Sequence, residues 1–205
     1  MKSILYTIFL TAALIFCGCS GTTESTDENA EVSEHNMDEH KDDSAYASES
    51  SKKKKPASPK QQAMAMVGSN HIHIEYASPS VRGRVIWGGL VPYNRVWSTG
   101  AHKATSINFP EAVIISGNEL SAGKYGFFTI PGEESWTIIF NKVWDMHLAD
   151  DYQETDDVMR FEVTPEKMDE ITEALTYKVE STGDNTGTIS VAWEYLKISF
   201  EVTNK

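Results

Sequence analysis

From residue 59 onward the chain is written in short apolar runs, broken by Gly, Pro, Asn or Ser roughly every eight to twelve residues. That rhythm leaves room for strands and turns and little room for helices. Residues 71–76 alternate strictly, with Ile72, Ile74 and Tyr76 on one face and His71, His73 and Glu75 on the other. Residues 124–130 and 136–141 are joined by Pro131-Gly132-Glu133-Glu134-Ser135, which reads as a hairpin with turn chemistry in its loop. Both strands of that hairpin carry apolar residues on both faces, which places them in the middle of a sheet covered on each side. Residues 105–109 and 112–116 flank Pro110-Glu111, and Gly117-Asn118 marks the next turn. Near the C-terminus Ile189, Val191 and Trp193 alternate, a break falls at Glu194-Tyr195, and Ile198, Phe200 and Val202 resume. One stretch reads as helix, residues 165–174: Thr164 caps it, Pro165 suits the first helical position, and acids cluster at its start. The fold class expected is all-β, a single antiparallel β-sandwich of jelly-roll kind over residues 61–205, with at most one short helix.

The N-terminus reads differently. Met1-Lys2 is a short basic start, an uncharged apolar run follows to Phe16, and Gly18-Cys19 closes it. The run is shorter than the roughly 20 residues a bilayer-crossing helix needs, so it reads as a secretory signal over residues 1–18. Gly18-Cys19 is also how a bacterial lipoprotein signal ends, with Cys19 becoming the lipid-bearing first residue of the mature chain. Residues 19–60 read as linker. Between Ser20 and Ser50 there are ten acids against Lys41 alone and almost no large apolar residue, a composition that cannot offset its ordering entropy. Lys52, Lys53, Lys54 and Lys55 then precede Pro56 and Pro59. The expected location is the cell envelope, at the outer membrane, with the lipid on Cys19 as the membrane contact.

Composition removes whole classes of function. The chain has two cysteines, Cys17 in the signal and Cys19 under the lipid, so a mature disulfide, thiol catalysis or a cysteine zinc site is excluded. A formal charge of −12 argues against nucleic acid as a partner. Absent too are a Gly-x-Ser-x-Gly elbow, a His-Glu-x-x-His pair, a phosphate-cradling glycine loop and a dinucleotide fingerprint.

Three groups of residues carry chemistry. Arg82, Arg84, Trp87, Tyr93, Arg95 and Trp97 lie close together among glycines, and His102 follows. Aromatic faces suit sugar rings or cations and guanidinium forks suit carboxylates, so the 82–102 segment reads as a recognition loop. The competing reading is a crossover whose tryptophans plug the end of the sandwich while the arginines pair with acids. His71, His73 and Glu75, with His102 if the loop folds back, have the donor types and spacing for zinc or copper, or for a plain polar strand face. His35 and His40 sit in the acidic stretch and would bind metal only loosely. Asn141 opens a polar, acid-rich connection to Asp157, which lacks the glycine a calcium loop needs.

Several blocks in order resemble a bacterial domain family. They are Glu75-Tyr76-Ala77-Ser78-Pro79-Ser80-Val81-Arg82-Gly83-Arg84, Ile86-Trp87-Gly88-Gly89-Leu90-Val91-Pro92-Tyr93, Trp97-Ser98-Thr99-Gly100-Ala101-His102-Lys103-Ala104-Thr105, Leu120-Ser121-Ala122-Gly123-Lys124-Tyr125 and Trp136-Thr137-Ile138-Ile139-Phe140-Asn141-Lys142. Together they are similar to the DUF2911 domain, found in secreted and lipid-anchored proteins of the Bacteroidetes group, and the likeness runs from about Pro59 to Val202. The resemblance implies an extracytoplasmic domain and assigns no activity. Relatives commonly carry Trp-Arg-Thr-Gly-Ala-Asn-Glu-Ala-Thr where this chain has Ser98, His102 and Lys103 in place of the arginine, asparagine and glutamate.

The function these features favour is a non-catalytic binding or assembly module for an envelope glycan, small anionic molecule or protein. Its candidate ligand residues are Arg82, Arg84, Trp87, Tyr93, Trp97, His102 and Asn141, and no cofactor is expected. A metal-dependent or carboxylate-based hydrolase using His71, His73, Glu75 and His102 is the second reading, and a purely structural envelope lipoprotein the third.

Overall fold

The computed structural model describes residues 58–205. The signal segment, Cys19, the acidic and lysine-rich stretches, His35 and His40 lie outside the described residues. Ten strands follow one another: β1 (Lys60–Val67), β2 (Asn70–Ala77), β3 (Thr105–Phe109), β4 (Val113–Ile115), β5 (Asn118–Leu120), β6 (Gly123–Ile130), β7 (Trp136–Asn141), β8 (Asp157–Val163), β9 (Glu166–Ser181) and β10 (Thr186–Asn204). They form two antiparallel sheets, one ordered β1-β2-β3-β6-β7-β8 and the other β5-β4-β10-β9. The all-β sandwich expected from the strand rhythm is what the chain builds, and the single helical element among the described residues is the 3-10 turn Glu154–Asp156.

Alternation decides what lies between the sheets. Ile72, Ile74 and Tyr76 of β2 point inward with Ile107 and Phe109 of β3, Phe127 of β6, Ile138 and Phe140 of β7, and Ile198, Phe200 and Val202 of β10. The β6–β7 hairpin pairs Ile130 with Thr137 and Phe127 with Phe140, in the middle of the six-stranded sheet. Its outer face is buried as well: Phe128 and Ile139 pack with Ala104 and Met146 in a second, smaller cluster. The cover on that side is the 142–153 connection, which contributes Met146, Ala149 and Tyr152.

Residues 165–174, read from sequence as helix, belong from Glu166 onward to strand β9. The segment is paired along β10, with register shifts opposite Glu194 and Leu196. An isolated helix of about ten residues is marginal in water, whereas β9 gains backbone partners from a long neighbour. The acids that resembled a helix start, Asp169, Glu170 and Glu173, are solvent-facing residues of an edge strand, where charge discourages further pairing. The break expected at Glu194-Tyr195 is a bulge inside one continuous strand. Glu194 takes φ 54°, and the buried set changes phase from Ile189, Val191 and Trp193 to Ile198, Phe200 and Val202.

Candidate functional site

The β2–β3 crossover, residues 78–104, separates into two parts. Its first part gathers the tryptophans. Trp87 and Trp97 meet Trp136 of β7 and Trp193 of β10, with ring centroids between 4.7 and 6.4 Å apart. Large aromatic faces in mutual contact bury much apolar area, so these rings close one end of the sandwich. Tyr93 lies against Gly88, whose φ is 77°. The Arg84 guanidinium donates to the carbonyls of Ser80 (2.6 Å) and Val81 (3.1 Å) and thereby holds the turn after β2. Of the two parts of the plug reading, the tryptophans behave as that reading requires. Arg84 donates to carbonyls, and the backbone N–H of Arg82 donates to the Glu173 carboxylate at 2.9 Å.

The second part of the crossover is a rim. Thr99 takes φ 48° and is held there from three sides. Its carbonyl accepts from the hydroxyls of Tyr177 (2.7 Å) and Thr105 (3.0 Å), and its own hydroxyl meets that of Thr129 at 3.0 Å. The chain then passes His102, φ 65°, and is laced to the 142–153 connection: Ala104 N–H donates to the Met146 carbonyl (3.0 Å) and Leu148 N–H to the His102 carbonyl (2.8 Å).

Asn141 anchors the start of that connection. It is fully buried, and its amide donates to the Gln153 carbonyl (3.1 Å) and the Asp157 carboxylate (2.8 Å) while its carbonyl accepts from Val143 N–H (2.8 Å). The same Asp157 accepts from the Tyr152 hydroxyl at 2.6 Å. Asn141 is thus a hub inside the protein and does not line the cleft that these supports enclose.

These supports enclose a cleft of about 700 Å³ on the outer face of the six-stranded sheet. Its floor is Gln62 and Met64 of β1, Glu75 of β2, Ser106 of β3 and Lys124 of β6; its walls are Ala101–Ala104 on one side and Trp144 and Asp145 on the other. The pairing register makes the floor: Gln62 lies opposite Glu75, and Glu75 opposite Ser106. Gly126 makes the wall possible. A Cβ there would stand 2.7 Å from the Val143 carbonyl oxygen and 3.3 Å from Trp144 Cα, so only glycine lets the connection pass so close to the strand.

Two ion pairs set the electrostatics, Lys124–Glu75 and Lys103–Asp145, each at 2.5 Å. Lys124 Nζ also lies 4.2 Å from the centre of the Trp144 ring. The Lys124 hydrogen bond holds the Glu75 carboxyl below its ordinary value, and Lys103 does the same for Asp145. Trp144 remains 39% exposed. The cleft therefore offers an indole flanked by ammonium donors and carboxylate acceptors.

The expected metal set is not assembled. Glu75 and His102 both line the cleft, but His71 and His73 do not. Among the described residues no three His, Cys, Asp or Glu side chains gather as a metal group. Glu75 is paired with Lys124, although its carboxylate also feels His73 across the same strand face, and His102 stands on the rim. Arg82, Arg84 and Trp97 line a separate cavity of about 310 Å³ beside Trp193. Lys124, Trp144 and Asp145 were not among the candidate ligand residues: Trp144 and Asp145 lie in the polar connection read from sequence, and their meeting with Lys124 is visible only once the strands are in register.

By fold and site this is a two-sheet antiparallel sandwich domain with a ligand-sized cleft on one outer face. The chain belongs to the DUF2911 family, described as a protein of unknown function: the family's model matches residues 58–202. No curated protein and no solved structure matches it. Within residues 97–105, His102 and Lys103 line the cleft. Ser98 is buried, its hydroxyl without a partner.

Proposed function

We propose that this protein is a non-catalytic binding module of the cell envelope, tethered through a lipid on Cys19, whose outer-face cleft receives a hydroxyl-rich glycan segment. The observation that carries this reading is the Trp144 indole set between the Lys124–Glu75 and Lys103–Asp145 pairs. Sugar rings stack their C–H faces on aromatic rings, and each hydroxyl both donates and accepts, which matched cation–carboxylate pairs satisfy. A volume of about 700 Å³ suits a ligand of one or a few rings. The formal charge of −12 disfavours a polyanion in the same place.

The state of the carboxylates favours binding over hydrolysis. Glycoside cleavage by a carboxylate pair needs one carboxyl raised enough to act as acid. Glu75 and Asp145 are both pushed the other way by their lysines. The anchor rests on the basic start, the apolar run and Gly18-Cys19.

The test is a thermal-shift and calorimetric panel of envelope oligosaccharides on the purified protein. A ligand that binds only the folded state raises the melting temperature. The expected hit stabilises the wild type and does nothing for Trp144→Ala, whose own melting barely changes because the ring is partly exposed. A panel without hits, or a hit indifferent to Trp144→Ala, would sink the proposal. Labelled palmitate incorporated by the wild type and not by Cys19→Ala tests the tether separately.

A further inference from the structure

Beside the cleft, the outer face of the β1–β2 hairpin carries a second set of donors. Across the antiparallel ladder Met64 lies directly opposite His73, and Met66 directly opposite His71. The intervening residues Ala63, Ala65, Ile72 and Ile74 pack against the main core. By alternation the two thioethers and two imidazoles therefore share the outward face. Opposed Cβ atoms on such a ladder lie about 4.5–5.5 Å apart and diagonal ones about 7–8 Å, so all four side-chain heads reach a common point above the hairpin. The two-residue turn Gly68-Ser69, with Gly68 at φ 59°, closes the strands immediately beyond the group and fixes its register.

Two observations set this face apart from an ordinary solvated strand. Met64 and Met66 are 48% and 51% exposed on a sheet edge, where charge or proline is the usual protection against pairing. His73 Nε2 is shut off from solvent and has no hydrogen-bond partner, although a buried imidazole nitrogen ordinarily finds one. The His71 and His73 rings lie nearly parallel, 20° apart with centroids separated by 6.4 Å.

We propose that Met64, Met66, His71 and His73 form a binding site for a soft monovalent cation, Cu(I) or its analogue Ag(I). Thioethers select soft ions and are poor ligands for zinc, magnesium or calcium, while imidazole serves copper well. The set is uncharged when the imidazoles are neutral, which suits one positive charge better than two. Glu75, the next residue on the same face, is the nearest oxygen donor; its carboxylate is paired with Lys124 and also feels His73. The inference is independent of the glycan reading: Met64 borders the cleft, but the other three donors do not.

The experiment titrates silver nitrate, in chloride-free buffer, into the full chain in detergent with its methionine methyls isotopically labelled. Cys17→Ala and Cys19→Ala are present in every arm so that no thiol competes. One equivalent is expected to shift the Met64 and Met66 methyl signals and the ring signals of His71 and His73. The remaining methionine signals stay in place, and zinc sulfate moves none of the four residues. In anaerobic competition with a Cu(I) chelator, Met64→Leu/Met66→Leu should weaken binding by more than the roughly 10–100-fold that even outer partners of a metal command. Leu keeps the volume, and unshifted signals elsewhere certify that the variant is folded. The proposal is overturned if silver leaves the four residues unmoved, if the double variant binds Cu(I) like the parent, or if zinc binds there as tightly as silver.

Discussion

Removing the Asn141 amide tests the cleft's architecture most directly. In Asn141→Ala the Gln153 carbonyl, the Val143 N–H and one Asp157 oxygen all lose a buried partner. Two of those bonds join neutral groups, at about 1 kcal/mol each, and the third meets a carboxylate, at about 2 kcal/mol, for a total near 4 kcal/mol. For a domain of this length that corresponds to a fall in Tm of roughly 10 °C. Urea unfolding followed by tryptophan fluorescence should show a lower midpoint at unchanged slope, the sign of lost stability in the same folded state. Asn141→Asp sharpens the test. It keeps an acceptor for Val143 but turns a second carboxylate toward Asp157, so its loss at neutral pH matches or exceeds that of Ala. That loss eases as the pH falls and one of the two carboxyls takes a proton. A deficit below about 1 kcal/mol in Asn141→Ala would refute the hub.

Other outcomes follow from the same geometry. Gly126→Ala should cost about 1–3 kcal/mol by overpacking the strand against Val143, and should shift Trp144 emission while the far-ultraviolet spectrum stays that of a β protein. Because Lys124 lowers the Glu75 carboxyl, the stability this pair supplies is complete above the unfolded value, about pH 4.3, and fades as the pH drops through the lower folded value. A plot of Tm against pH for Glu75→Gln should lack that acid-side decline, and identical slopes in both proteins would contradict the pairing. At the β4–β5 turn Ser116 and Gly117 both have positive φ, 49° and 77°. Ser116→Asn supplies the Asn-Gly pair such turns favour and should add about 0.5 kcal/mol in chemical denaturation.

Strand content was legible wherever burial was one-sided or complete. The alternation of His71 through Tyr76 and the doubly apolar β6–β7 hairpin led directly to their places in the sheet. The 165–174 segment misled because capping residues and acids serve a helix start and a charged sheet edge equally well, and what separates the two is a neighbour, β10, some thirty residues away. The phase change at Glu194 was visible as a break, but a bulge and a strand end look alike until the partner strand is known. The cleft was least legible. Glu75, Ser106, Lys124 and Asp145 converge from three strands and a connection, and no spacing in the chain encodes their meeting. Met64 and Met66 passed unnoticed because methionine ordinarily fills cores, and only the register against His73 and His71 gives them a different neighbourhood.

Phe127 and Phe128, adjacent in the chain, belong to different interiors: one to the space between the sheets, the other to the layer beneath the 142–153 connection. That layer contains few apolar residues, so it can peel away at a small fraction of the global unfolding free energy. Amide exchange in the outer layer should accordingly outpace exchange in β7 beneath it. A domain built this way can rewrite residues 142–153, and with them what the cleft admits, while the sandwich underneath keeps its sequence and its shape.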